Sequence, residues 1–281
     1  MNAPIALVDG QAADHIAVTD RGFQFGDGVF ETLRISAGRP RFVHRHLHRL
    51  VVGCARLGMR PAPQEALLDD IAALATQIPD GVVKLVVTRG SSERGYRTPE
   101  KTAIRRTALA WPMAAPFADR FRVRLCDTRL ANQPLLAGIK HLNRLEQILA
   151  RSEWSDGDIH EGIMLDYGDR LIEGTMSNLF LVRDETLLTP DLEQCGVAGI
   201  VRSVVMDVAG ELGIDVVRRD LERHDLRGAD EVFVCNALIG VRPVCEWIGE
   251  TQYPAGPITA ALQSAVERTD PDNSDRDWYA R

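Results

Sequence analysis

Five residues near the middle of the chain, Pro112-Met113-Ala114-Ala115-Pro116, limit the folds open to it. Proline has no amide proton and a fixed φ, so a stretch with proline at both ends continues neither a helix nor a central strand. A strand pattern restarts at Phe121–Leu125. The 281 residues therefore divide into an N-terminal domain (1–112), a linker (113–120), a C-terminal domain (121–268) and a tail (269–281). The tail ends in DPDNSDRDWYAR, a polar run expected to be disordered.

Each half mixes strand and helix patterns, which predicts an α/β (α+β) chain of two domains. In the first half, Ile5–Val8, Val29–Ile35, Gly81–Thr88 and Arg105–Trp111 read as strands bounded by turns. Phe23-Gln24-Phe25 leads into a tight turn at Gly26-Asp27-Gly28. Leu47, Leu50, Val51, Cys54 and Leu57 form one stripe of a helix over 46–57, and 64–75 is a second helix. In the second half, 162–166, 178–182 and 230–235 read as strands, with a turn at Tyr167-Gly168-Asp169 and a helix over 200–212. Leu142, Leu145, Ile148 and Leu149 recur at helical spacing and predict a half-buried amphipathic helix.

The net charge of −7 and pI near 5.5 argue against a nucleic-acid partner. No apolar run approaches the roughly 18 residues of a membrane span, and Met1-Asn2-Ala3-Pro4 lacks a signal-peptide pattern. Five cysteines without C-x-x-C spacing read as reduced thiols in a cytoplasmic protein.

Lys140 is the residue that asks for an explanation. It stands between Ile139 and the apolar helix, where an ammonium is costly to desolvate. Either its stem snorkels to water or it is a functional amine with a lowered pKa, suited to imine chemistry. Four further stretches would complete a pyridoxal-phosphate (PLP) site. Glu173 precedes the strand at 178–182 and could face a protonated pyridine nitrogen, or could be a surface turn carboxylate. Gly196-Val197-Ala198-Gly199-Ile200 opens a helix, where glycine and free amides suit a phosphate, and Asn236-Ala237 could add further amide donors. Arg49 on the first helix could clamp phosphate with its fork of donors. His44, His46 and His48 alternate, but they straddle a helix start and alternate spacing does not put three side chains on one helical face; no metal site is expected. There is no P-loop, G-x-S-x-G or G-x-G-x-x-G signature.

Six stretches together carry a family resemblance: DRGFQFGDGVFET (20–32), HLHRL (46–50), GIKHLNRLEQ (138–147), EGTMSNLF (173–180), GVAGIVR (196–202) and DEVFVCNALIGVRPV (230–244). The chain resembles the class IV aminotransferases, the PLP enzymes of fold type IV. The resemblance implies two α/β domains, the second (121–268) the PLP-binding one, with the cofactor in the cleft between them, and a homodimer. It implies that Lys140 is the Schiff-base lysine, that Glu173 faces the pyridine nitrogen, and that Arg49 binds phosphate with the backbone of Gly199-Ile200 and Asn236-Ala237. Arg94 and Tyr96 match positions where D-amino-acid transaminases bind a substrate carboxylate. Phe30 stands where those relatives carry tyrosine. TRGSSERGYRTP (88–99) and GIKHLNRLEQILAR (138–151) are most similar to the lyase branch of the family, which releases pyruvate from 4-amino-4-deoxychorismate. The alternative expectation is a D-amino-acid or branched-chain transaminase.

Overall fold

The computed structural model describes residues 4–98, 100, 103–113 and 116–269; the tail beyond Thr269 and linker positions 114–115 lie outside the described residues. The chain separates into two compact units with the boundary at 115/116. Ile139–Asn143 group with the first unit, not with the residues around them in sequence.

The first unit runs β1 (Ile5–Val8), β2 (Gln11–Ala12), α1 (Arg21–Phe25), β3 (Gly28–Ser36), β4 (Arg39–Pro40), α2 (Val43–Arg56), α3 (Gln64–Gln77), β5 (Gly81–Thr88) and β6 (Arg105–Pro112). Its six strands form one antiparallel sheet in the order β2-β1-β6-β5-β3-β4. Strand β3 alternates strictly: Val29, Glu31, Leu33 and Ile35 are buried, while Phe30, Thr32 and Arg34 are half-buried. The buried set packs with Leu47, Leu50 and Cys54 of α2 and Leu67, Ile71 and Leu74 of α3. The residues leading into the turn at 26–28 form the short helix α1: Asp20 caps it by accepting from Gly22 and Phe23, and Gly26 ends it in the left-handed region. α2 starts three residues before the expected position. Its N-cap, Phe42, offers no side-chain acceptor, so the start leaves no signature in sequence.

The second unit contains β7 (Phe121–Leu130), α4 (Leu145–Arg151), β8 (Glu161–Asp166), β9 (Leu171–Gly174), β10 (Asn178–Arg183), β11 (Thr186–Pro190), α5 (Ile200–Glu211), β12 (Val216–Arg219), α6 (Arg223–Arg227), β13 (Glu231–Asn236), β14 (Gly240–Trp247), β15 (Thr251–Gln252) and α7 (Pro257–Arg268). The order is β12-β11-β10-β13-β14-β7-β8-β9, and β9 pairs back onto β10. Strands β10, β13, β14, β7, β8 and β9 thus close into a ring. Leu179, Leu181, Val232, Val234, Val244, Val123, Ile163 and Leu165 share one core cluster. The pairing that closes the ring joins Asn178 to Glu173.

The helix expected around 142–149 differs most from its sequence pattern. α4 has seven residues, and Leu145 (72%), Ile148 (57%) and Leu149 (60%) are exposed. Only Ala150 of this helix is buried, in a cluster with Cys126, Trp154 and Met164. Helical spacing identified the apolar residues, but among the described residues Leu145, Ile148 and Leu149 are left largely uncovered.

Candidate active site

Lys140 is held in extended backbone beside β3. Its carbonyl accepts the Phe30 N–H at 3.0 Å, and His141 bridges to Val29. Ile139 is buried in the first unit's core. The Lys140 ammonium lies 4.3 Å from the centroid of the Phe30 ring, a cation–π contact. Lys84 on β5, diagonal to Phe30 in register, places its own ammonium 5.0 Å from the same ring. Burial lowers the pKa of Lys84. Two of the chain's three lysines therefore meet at one phenylalanine.

On the opposite face of β3, Glu31 organises Arg49. Its carboxylate accepts from Arg49 Nε at 2.7 Å and Nη2 at 2.6 Å, a two-point pairing, and lies 2.6 Å from His46 Nδ1. Glu31 and His46 are buried. Burial acts to raise the Glu31 pKa, but the charges of Arg49 and His46 and their hydrogen bonds outweigh it and bring the value to about 2. Burial lowers the pKa of His46, against the pull of Glu31. His46 Nε2 is buried with no hydrogen-bond partner. His44, His46 and His48 all lie on α2, and only His46 is buried. Among the described residues no group of three or more His, Cys, Asp or Glu could hold a metal ion.

The second unit gathers the other set. Glu173 is not a surface turn residue: it lies on β9 and is 4% exposed. Its Oε2 accepts the Val197 N–H at 2.8 Å. The positive charge of Arg144 acts on the same region, and burial lowers the Arg144 pKa while Glu173 and Glu146 oppose that. Gly199 caps α5 and, as a glycine, offers the first amides of that helix no side-chain acceptor. Gly199 is also a close-approach position: a Cβ there would stand 1.9 Å from Asn178 Oδ1. Asn178 itself donates to the Val197 carbonyl at 2.9 Å. Asn236 donates to the Met176 carbonyl at 3.0 Å, and its Oδ1 accepts from Leu238 and Ile239. Its side chain shapes the turn, which leaves the Asn236-Ala237 backbone as the candidate donor. Beneath residues 174–177 lies Glu161, fully buried, accepting from Thr175 Oγ1 and Ser177 Oγ at 2.6 Å each and from the amides of Gly162, Thr175 and Met176.

The structure thus joins Lys140 to Phe30, Arg49 to the strand that carries Phe30, and Glu173 to the segment leading into Gly199-Ile200. Arg94 and Tyr96 lie on an exposed loop of the first unit, Tyr96 at 84% exposure. Sequence reading gave no role to Glu31, Lys84, Arg144, Asn178 or Glu161, and weighed His46 only as one of three alternating histidines. Glu31 had a signal, a carboxylate at a core position of an alternating strand, and His46 and Arg49 share a helix face at i,i+3.

The model of the family described as amino-transferase class IV matches residues 28–247. The chain belongs to the class IV aminotransferases. The family match spans Phe30, Arg49, Lys140, Glu173, Gly199 and Asn236. An aminodeoxychorismate lyase of Vibrio harveyi is 35% identical over 91% of this chain and 97% of its own. A D-alanine aminotransferase of Listeria innocua is 33% identical over 89% of each chain. Among solved structures, the 4-amino-4-deoxychorismate lyase of Pseudomonas aeruginosa superposes with a TM-score of 0.88, at 45% identity, covering 97% of this chain and 99% of that one. That full-length match is to a mixed α/β enzyme, as the sequence pattern predicts.

Proposed function

We propose that this class IV protein is a PLP-dependent lyase that converts 4-amino-4-deoxychorismate to 4-aminobenzoate and pyruvate in folate biosynthesis. The observation that carries the reading is the similarity to the P. aeruginosa lyase over nearly the full length of both chains. The donor set fits the cofactor: an amine at Lys140, a buried carboxylate at Glu173, a helix start with no side-chain cap at Gly199, and an oriented guanidinium at Arg49. Lys140 would hold the cofactor aldehyde, Glu173 the ring nitrogen, and Arg49 with the Gly199-Ile200 and Asn236-Ala237 backbone the phosphate. When bound, PLP supplies an aldehyde for amines and a ring that accepts electron density.

The residues of the chain do the rest. Lys140 would remove the proton from the carbon that bears the substrate amine; proximity makes this step effectively intramolecular. Breaking the adjacent ether C–O bond expels enolpyruvate, which takes up a proton to become pyruvate, while the ring becomes aromatic. Glu173, buried on β9, would hold the protonated ring nitrogen. Lys84, Arg94 and Tyr96 are the candidates for holding the substrate carboxylates, and Phe30 offers an apolar face between two ammonium groups.

The alternative, a D-amino-acid or branched-chain transaminase, draws support from the Listeria relative. A homodimer accounts for the uncovered apolar face of α4. A cytoplasmic setting is supported by five cysteines that are all free thiols; among the described residues no helix is long and apolar enough to cross a membrane. The deciding experiment supplies 4-amino-4-deoxychorismate without an amino acceptor. Equimolar 4-aminobenzoate and pyruvate are expected from the wild type, and none from Lys140→Ala. Amino-group transfer from D-alanine or a branched-chain amino acid to 2-oxoglutarate, with no lyase products, would replace this reading with the alternative.

A further inference from the structure

The loop bearing Arg94 and Tyr96 is fastened to the first unit from two sides. Its entrance is fixed by backbone: the Arg21 N–H donates to the Gly90 carbonyl at 2.9 Å and the Ser92 N–H to the Thr19 carbonyl at 3.2 Å. Its tip is fixed by a side chain. Arg21, 4% exposed, donates from Nη1 to Ser92 Oγ and to the Gly95 carbonyl, both at 3.1 Å, and from Nη2 to the Tyr96 carbonyl at 3.3 Å. These contacts bracket Arg94. The Phe25 ring packs against Tyr96 at 5.3 Å and lies 5.0 Å from the same guanidinium.

Arg21 is itself immobilised. Its Nε donates to Asp27 Oδ2 at 2.7 Å, and the same carboxylate takes two donors from Arg89, whose other donors reach the carbonyls of Leu57 and Gly58. The chain thus places a buried, ion-paired guanidinium under an exposed loop, with three donor contacts directed at the loop.

We infer that Arg21 is a positioning residue for substrate recognition, holding residues 92–96 in one conformation so that Arg94 is presented with its ordering entropy already spent. The inference rests on the proposed role of Arg94 as a substrate-carboxylate ligand. A lysine at position 21 keeps a charge for Asp27 but has no fork to span Ser92, Gly95 and Tyr96.

The test compares Arg21→Lys, Arg94→Gln and the double variant as holoenzymes. Arg21→Lys is expected to raise KM for 4-amino-4-deoxychorismate about tenfold, with kcat and cofactor absorbance within about twofold of wild type. In the Arg94→Gln background the same change should add less than about twofold. Trypsin cleavage after Arg94 or Arg97 should accelerate about tenfold in Arg21→Lys, a readout that needs no substrate. Should Arg21→Lys fail to fold, Ser92→Ala and Phe25→Leu remove loop contacts without touching the ion pair and should raise both KM and the cleavage rate. The inference is overturned if KM and cleavage are unchanged in a folded variant, or if Arg21→Lys has its full effect without Arg94. A wild type that makes no 4-aminobenzoate would instead refute the functional reading, and the cleavage rates would still decide whether Arg21 fixes the loop.

Discussion

Replacing Glu31 by glutamine removes one negative charge and almost no volume, at a site where the carboxylate is buried against Arg49 and His46. The native pKa of Glu31 is about 2, against an ordinary 4.5. Each unit of difference is worth about 1.4 kcal/mol, so ionised Glu31 stabilises the fold by roughly 3 kcal/mol. The direction follows from the depressed native pKa: the contribution is complete above about pH 4.5 and is lost as pH falls toward 2. The variant also leaves the Arg49 guanidinium without its anion, and breaking one side of a buried pair costs about 3–5 kcal/mol. Glu31→Gln should therefore melt on the order of 10 °C below wild type at neutral pH. Calorimetry should show that gap narrowing in acid, because the native carboxylate becomes protonated too. Glu31→Gln with Arg49→Met, which removes both charges, should recover part of the loss. A neutral-pH deficit below about 1 kcal/mol, the value of an exposed pair, or a gap that does not depend on pH, would refute the account of Glu31 as the charge that holds Arg49.

Gly199→Ala puts a methyl group 1.9 Å from Asn178 Oδ1; displacement of Asn178 should cost about 1–3 kcal/mol and weaken PLP binding, measured by titrating the apoprotein. Glu161→Ala removes the acceptor of two hydroxyls and of the Gly162 and Met176 amides, while the Thr175 amide keeps the Gly162 carbonyl at 2.9 Å; a loss of at least about 3 kcal/mol is expected in chemical denaturation. Leu149→Asp, on the exposed face of α4, should shift a homodimer toward monomer in light scattering while leaving the monomer's circular dichroism unchanged.

Much of the fold is written in short-range patterns. Alternation over Val29–Ile35 and the valine-rich Gly81–Thr88 specify β3 and β5, since each face of a strand repeats every second residue. The spacing of 64–75 specifies α3 for the corresponding helical reason. The motifs that mark the family are local too, so Lys140, Glu173 and Arg49 could be named without coordinates. What each of them touches could not. Glu173 is buried because β9 turns back to pair with β10 and close the ring, and the amide that it binds is 24 residues away. Glu31 meets His46 and Arg49 only because α2 packs on the buried face of β3. Ile139–Asn143 leave the strands of their own half to bond with β3, and the apolar side of α4 faces away from the chain's own core. Periodicity reports that a face is apolar. Which surface covers it, and which buried charge finds a partner, depends on contacts between residues far apart in sequence, and these exist only in the folded chain.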